Sequence, residues 1–268
     1  MYEAHWLLTE PPFENTPDPR FLYLSKQHEE GLTRFYYVVK ARKGAGMMTG
    51  VFGCGKTLLA RSVIRELQKS GHRIAYITNP RLDPLEMLRM ILYGLGVTSP
   101  PLHKSDVLFQ LQDILFNNSR DGRETVVVID EAHLIQNAEI FEEIRLLLNI
   151  QLEEKFLVTL LLLGQPELRD QVQTNKALAQ RIAMQFNLGP FTEEETDLYI
   201  THRLSVAGRK DPIFTQEAFH LIHEGSGGIP RRINQVSDMS LFTGYVRRVD
   251  KIGADVVEEA MASVEGRS

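Results

Sequence analysis

Cysteine occurs once in the 268 residues, at Cys54, and tryptophan once, at Trp6. One thiol cannot build an internal disulfide framework, and a chain so poor in cysteine fits a reducing compartment. Long apolar runs are missing too. The longest, Phe156 to Leu163 (FLVTLLLL), falls far short of the ~20 residues of a membrane-spanning helix. The N-terminal MYEAHWLLTEPPFE lacks the basic-then-apolar order of a secretory leader. These absences predict a soluble, unsecreted, cytoplasmic chain with no direct membrane insertion, associated with membranes only through partners. Nor is there an excess of positive charge: 30 Lys and Arg stand against 35 Asp and Glu, a net charge of −5. No global basic field recruits nucleic acid or anionic lipid, although a local basic patch is still allowed. No internal repeat and no low-complexity tract interrupts the chain.

What is present is an ordinary globular composition, 43% hydrophobic and 24% charged, enough for one large domain or two modest ones. The first stretch carries EPPFENTPDPR and predicts an extended, tied-down arm. Leu32, Phe35, Tyr36 and Val39 recur at helical spacing within 27–42, and Leu58, Leu59, Val63, Ile64 and Leu67 do so within about 55–70. RIAYIT, ETVVVIDEAH and FLVTLLLLG read as strands, separated by the helical PLEMLRMILYGLG, SDVLFQLQDILFNNS (with Ser105 or Asp106 as its cap) and EIFEEIRLLLNIQ. Strands that are continuous apolar runs and alternate with helices predict a parallel sheet covered on both faces. Past Phe186 every segment reads as helix. The expected organisation is therefore an arm and first helix (1–45), an α/β core (46–189) and a small all-helical domain (190–268).

The chemistry is concentrated in two motifs. TGVFGCGKTLL contains G-x-x-x-x-G-K-[ST] as Gly50, Gly53, Gly55, Lys56 and Thr57, placed after a short apolar segment and opening a helix, as a phosphate-binding loop requires. Main-chain N–H groups of Gly50, Val51, Phe52, Gly53, Cys54, Gly55, Lys56, Thr57 and Leu58 would curl around phosphate oxygens, Lys56 would reach the β and γ phosphates, and the Thr57 hydroxyl would reach Mg²⁺. The second motif, VVVIDEAH, is an apolar strand that delivers Asp130 and Glu131 to its C-terminal end, where parallel α/β sheets bind ligands. Asp130 would hold Mg²⁺ through water and Glu131 would polarise the attacking water. Together the motifs predict nucleotide hydrolysis. No Asn-Lys-x-Asp signature of a GTPase occurs, since TNKA at 174–177 fails at its last position, and ATP is favoured.

Further polar residues admit two readings each. Gln165, leaving the buried strand in GQPEL, senses the γ-phosphate or is a loop glutamine. Asn79 hydrogen-bonds Glu131 until a partner binds or is a turn asparagine. Arg181 in LAQRI, beyond the sheet's last strand, is a finger aimed at a neighbour's ATP or a solvated helix cation. Arg231 in GSGGIPRRIN reaches back to the nucleotide or belongs to a surface basic pair. His133 reads the nucleotide state or packs against the following helix. Cys54 is a sensitised thiol or an inert filler. His202, His220 and His223 have no metal-ligand company, so no zinc site is expected.

The arm MYEAHWLLTEPPFENTPDPRFLYLSKQHEEGL, then TGVFGCGKT, VVVIDEAH, LLLGQPEL, LAQRI and GGIPRRIN, in this order, resemble the AAA+ ATPases of the general secretion pathway protein A (ExeA-type) group. MSHA pilus and exosortase-associated ATPases, and more distantly transposition ATPases of the MuB and TniB kind, share the pattern. The resemblance covers nearly the whole chain. It implies a P-loop NTPase (AAA+) fold with a helical lid, ATP and Mg²⁺ as cofactors, and Walker A residues Lys56 and Thr57. It also implies a Walker B pair in Asp130 and Glu131, sensor 1 in Gln165, an arginine finger in Arg181, and sensor 2 in Arg231. The TPDPRFLYLS arm and His28 would lie near the adenine. It further implies an ATP-dependent homo-oligomer, a ring or spiral, in which ATP binds between core and lid and the next subunit's Arg181 completes the site. Many secretion members continue into a transmembrane helix and a periplasmic peptidoglycan-binding domain, whereas this sequence stops after the lid, which tells against a direct cell-wall role. Three readings follow. The first is an assembly ATPase serving a secretion, pilus or polysaccharide-export protein. The second is a transposition regulator on double-stranded DNA, using Arg231, Arg232, Arg247 and Arg248. The third is a non-hydrolysing scaffold, against which an intact Glu131 argues.

Overall fold

The computed structural model describes the whole chain except Pro17, Glu153, Glu154, Glu265, Arg267 and Ser268. The chain packs as two compact units. One comprises Lys26–Phe52 and Leu59–Leu188; the other comprises Met1–Ser25, Gly53–Leu58 and Gly189–Ser268. The first helix therefore belongs with the sheet and the N-terminal arm with the C-terminal helices, a grouping that a single 1–45 segment did not anticipate.

The sheet unit runs α1 (Lys26–Lys40), β1 (Ala45–Gly50), α2 (Lys56–Lys69), β2 (Arg73–Ile77), α3 (Pro84–Gly94), α4 (Lys104–Arg120), β3 (Thr125–Ile129) and α5 (Ala138–Leu147). A two-stranded antiparallel pair, β4 (Gln151–Leu152) and β5 (Lys155–Phe156), precedes β6 (Val158–Gly164), α6 (Glu167–Thr174), α7 (Lys176–Ala179) and β7 (Ile182–Leu188). Strand order is β2-β3-β6-β1-β7, and every pairing within it is parallel. Each residue of β1, β3 and β6 is buried, which is why these strands read as unbroken apolar runs. Alternate residues feed opposite faces. Val127, Ile129, Leu160 and Leu162 join the core built with α3, α4 and α5. On the other face Phe35 and Val38 of α1 lie against Gly46 and Leu161.

Several local expectations need correction. The sheet has a fifth strand, β7, so Arg181 is not beyond the last strand but immediately before it. Helix α4 starts at Lys104, and His103 in the cap position makes no side-chain cap bond, so neither Ser105 nor Asp106 caps it. The cap of α3 is reciprocal: Asp83 accepts from Glu86 N while the Glu86 side chain accepts from Asp83 N, with Pro84 opening the helix.

In the second unit, α8 (Glu193–Val206), α9 (Gln216–Ser226), α10 (Pro230–Arg247) and α11 (Ala254–Val264) surround an aromatic-rich core, entered from the arm by Tyr2, Trp6, Phe13 and Phe21. The arm is tied down but not extended throughout: it contains turns and a 3₁₀ turn over Pro19–Phe21, capped by Asp18. Pro17 of the TPDPRF element lies outside the described residues. Trp6 Nε1 donates to Leu241 O at 2.9 Å. Buried Arg203 donates to Pro12 O, to Glu14 O at 2.9 Å and to the Tyr199 hydroxyl at 2.8 Å. Tyr199 donates in turn to Asn234, which donates to Asn15 at 3.0 Å. Among the described residues no helix is long and apolar enough to cross a membrane.

Candidate nucleotide site

The parallel register brings three strand exits to one sheet edge. Thr49 of β1 pairs with Gly164 of β6, and Ile129 of β3 pairs with Leu162. Asp130, the first residue past β3, is 2% exposed and is held from two sides. The Tyr76 hydroxyl of β2 donates to Oδ2 at 3.0 Å, and Glu131 N donates to Oδ1 at 2.9 Å. Burial first, then the adjoining Asp130 charge, pushes the Tyr76 phenol up to about 12, so it stays a proton donor to the carboxylate. Glu131 stands in the left-handed region, φ 52° and ψ 34°, a conformation costing a non-glycine residue roughly 1–2 kcal/mol and found where surroundings over-determine the backbone. Its Oε2 lies 3.3 Å from His133 Nδ1. The same imidazole is engaged by Gln165, whose main-chain N lies 3.3 Å from Nδ1 and whose amide nitrogen lies 3.0 Å from Nε2. Asn79 is not Glu131's partner: it is exposed, and its Oδ1 accepts from Arg81 N at 3.4 Å in its own turn.

From the same edge the chain leaves β1 through Val51 and Phe52, both exposed, into the glycine loop. A side chain at Gly50 would bring its Cβ to 2.4 Å from Leu188 O, so no other residue fits there. Gly53 takes φ 89°, and a Cβ on it would come within 2.9 Å of the Arg231 Cβ. This is how the second unit brings Arg231, at the start of α10, to the loop: its main-chain N donates to Gly53 O at 3.3 Å. Gly55 has φ 98°, Cys54 is fully buried, Lys56 is 5% exposed, and Thr57 and Leu58 are half-buried. No acidic residue occupies the first turn of α2, so nothing of like charge competes with an anion for that helix end.

Other expected residues fall elsewhere. Arg181 precedes β7 at the entry edge of the sheet, where its carbonyl accepts from Ala45 N at 3.2 Å. Its guanidinium donates to Asn149 Oδ1 at 3.1 Å and stacks over Phe156. That is the edge opposite to Gly50, Asp130 and Gly164. His28 is buried on α1. Tyr76 and the double engagement of His133 escaped sequence reasoning; the only signal was a tyrosine near the end of a strand.

Among the described residues no group of three His, Cys, Asp or Glu side chains is placed to hold a metal, so the chain offers no all-protein cage. Magnesium needs none, because it keeps waters and takes one or two protein oxygens together with substrate phosphates. A buried carboxylate fixed by two donors fits that demand, as do glycine amides and a helix start for the phosphates.

Residues 39–172 match the family described as AAA domain. The chain belongs to this AAA family. It is similar to General secretion pathway protein A of Aeromonas hydrophila, 36% identical over 270 residues that take in 99% of this chain and 49% of that one. The chain thus spans about half the length of this curated relative. Among solved structures, the Aeropyrum pernix ORC2 protein superimposes with a TM-score of 0.71 at 18% identity, covering 94% of this chain and 71% of that one. Drosophila ORC, solved bound to DNA, gives 0.72 at 15% identity, with 98% and 65% covered. These likenesses establish the fold: the AAA+ P-loop arrangement, with a five-stranded parallel sheet flanked by helices and a mostly helical C-terminal region.

Proposed function

We propose that this AAA-family chain hydrolyses ATP to ADP and phosphate, and that an oligomer of it uses the cycle to drive assembly of a secretion or export machine. The observation that carries the hydrolytic reading is the end of β3. Asp130 is fixed there by Tyr76 and by a main-chain N–H, and Glu131 is held in a costly backbone conformation beside it, at the edge from which the glycine loop departs. When bound, ATP and Mg²⁺ supply the phosphoryl group and neutralise its charge. Lys56 binds the β and γ phosphates, the loop amides from Gly50 to Leu58 bind phosphate oxygens, and Thr57 and Asp130 are the residues that would hold the metal. Glu131 orients a water and takes its proton as the water attacks phosphorus. Gln165 senses the γ-phosphate, and Arg231, bonded to Gly53 of the glycine loop, reaches the nucleotide. Arg181, at the opposite sheet edge, acts on a neighbouring subunit's nucleotide. The likeness to General secretion pathway protein A supports the assembly role.

ATP binding and steady-state turnover test this. Wild-type protein is expected to bind and hydrolyse ATP in a concentration-dependent way. Glu131→Gln should bind ATP as before and lose about 10²-fold or more in kcat, the scale of a lost general base. Lys56→Ala should lose binding itself. Wild-type protein that ignores ATP, or a Glu131→Gln variant as fast as wild type, would sink the reading. Adding double-stranded DNA to the same assay decides between an assembly ATPase and a DNA-bound regulator: turnover and binding that DNA leaves unchanged favour the former.

A further inference from the structure

Helix α3 is apolar on both of its sides. Met87, Leu88, Ile91 and Leu92 are buried in the core of the sheet unit. Gly94 lets the helix lie close on β2, where a Cβ would come to 2.8 Å from the Ala75 Cβ. The opposite side of a surface helix is ordinarily polar. Here it carries Met90, 40% exposed, and Tyr93, 61% exposed, one turn apart and continuing from Glu86. With Leu82, Arg89 and Pro100 these residues line a depression of about 280 Å³. That volume falls just below the ~300–1,000 Å³ of small-molecule sites and suits one or two bulky side chains of another chain. Aromatic residues, methionine and arginine are the types that protein interfaces favour over the rest of a surface.

Arg89 decides what kind of chain fits. Its Nε meets neither solvent nor a hydrogen-bond partner among the described residues. Glu86, one turn back, does not serve it: the Glu86 Oε2 accepts from Asp83 N at 2.9 Å in the cap of the helix. A guanidinium has donors only, so the acceptor has to come from elsewhere. An N–H buried without an acceptor carries a cost that a swing of this long side chain removes, provided an acceptor is there to meet it. A carboxylate matches the planar fork, taking Nε–H and a terminal N–H side by side. Nucleic acid does not suit the place, because the walls are apolar and Glu86 offsets the one cation lining it.

We propose that the depression on α3 docks a segment of a partner protein that carries an aromatic or leucine side chain with a single aspartate or glutamate close to it in sequence. The apolar side chain fills the space walled by Leu82, Met90, Tyr93 and Pro100, and the carboxylate draws the Arg89 guanidinium to itself. A strongly acidic segment is rejected, since a second carboxylate would meet Glu86. Docking needs no nucleotide and stands whether or not the chain hydrolyses ATP.

Fluorescence anisotropy on the full chain without ATP tests this. The probes are labelled peptides of about nine residues in which tryptophan or leucine stands within a turn's distance of a single glutamate, at every spacing up to about four. Each is paired with a twin that has glutamine in place of the glutamate. At least one glutamate peptide should bind with a Kd of about 100 µM or tighter, and its twin about tenfold more weakly. Arg89→Gln should abolish the difference between the twins, and Tyr93→Ala should weaken both by about tenfold. Melting of each variant is followed in parallel, and the comparison of twins on wild-type protein needs no variant. If no glutamate peptide binds more tightly than about 1 mM, or if the preference for glutamate survives Arg89→Gln, the proposal is overturned. A nucleotide-free dimer in sedimentation that Tyr93→Asp breaks apart overturns it as well, because the face then belongs to a second copy of this chain.

Discussion

The two units of this chain keep their polar atoms in opposite places. In the sheet unit the interior is nearly all aliphatic, with Val126 to Ile129 and Leu160 to Leu163 at most 1% exposed, and polar groups collect where strands end. In the helical unit they run through the middle: Arg203, Asn234, Thr196, Ser237 and Ser240 are buried in a unit whose core is rich in aromatic residues. Buried apolar area is non-directional and stabilises a unit without saying where an irregular segment must lie. Directional bonds do say so. Arg203 reads the carbonyls of Pro12 and Glu14 in an arm that has no strand or long helix of its own. The sheet unit is thus held by packing and keeps its strand ends free for chemistry, whereas the helical unit spends polar bonds on fastening a segment that packing alone leaves loosely specified.

The largest expected effect probes the packing side. Leu162 is fully buried at the centre of the sheet, between β1 and β3 through its strand, and belongs to the main aliphatic core. Leu162→Ala removes three carbons from a site that cannot collapse around them and should cost about 3–5 kcal/mol in a denaturant titration. A cost below about 1 kcal/mol would mean that the sheet core is loosely packed, and the contrast between the units would fail.

A smaller loss, and one of a different kind, is expected from Arg203→Met. Methionine keeps much of the stem length and apolar contact but leaves the Pro12 and Glu14 carbonyls and the Tyr199 hydroxyl without their charged donor. Hydrogen bonds to charged groups contribute about 1.5–3 kcal/mol and a buried acceptor left unserved adds its desolvation cost, so a loss of about 2–4 kcal/mol is expected, at the low end if water reaches the carbonyls. The distinguishing readout is local: limited proteolysis should cut within residues 1–25 of the variant well before it cuts elsewhere. An arm that stays protected in Arg203→Met would show that Trp6, Phe13 and Phe21 fasten it by burial alone.

The same contrast explains what the sequence made legible. Strands buried on both faces announce themselves as VVVI and LLLL, and a loop whose glycines have to meet backbone announces itself as GVFGCGKT, so the sheet and the placement of both motifs were readable. β7 was not. As the edge strand it pairs only with β1, its residues are mostly half-buried, and IAMQFNL mixes Gln185 and Asn187 among apolar neighbours, which breaks the run. Arg203 in ITHRLSV has the look of a solvated helix cation, since its acceptors lie some 190 positions earlier in the chain. The bonds of Tyr76 and His133 likewise join segments that follow different strands or belong to them, and no spacing along one segment encodes them. Sequence shows which groups are apolar together; it does not show which polar group meets which.

The smallest effect expected concerns a polar contact of the helical unit that is fully at the surface. His220 on α9 lies 2.7 Å from Glu193 Oε1 in the first turn of α8 and 3.6 Å from Glu224 one turn along its own helix. The hydrogen bond to Glu193, then the Glu224 charge, and more weakly Asp197, raise the imidazole above its ordinary value of 6.5. A group whose pKa is raised by folding binds protons more tightly folded than unfolded. Its contribution is therefore complete below pH 6.5 and fades as pH climbs through the folded value. Melting temperatures of wild type and His220→Asn, compared across that window, should differ most on the acid side and converge on the alkaline side. The difference should shrink with added salt, because exposed ion pairs contribute little and are screened. A difference that grows with pH would mean that the protonated His220–Glu193 pair does not stabilise this unit.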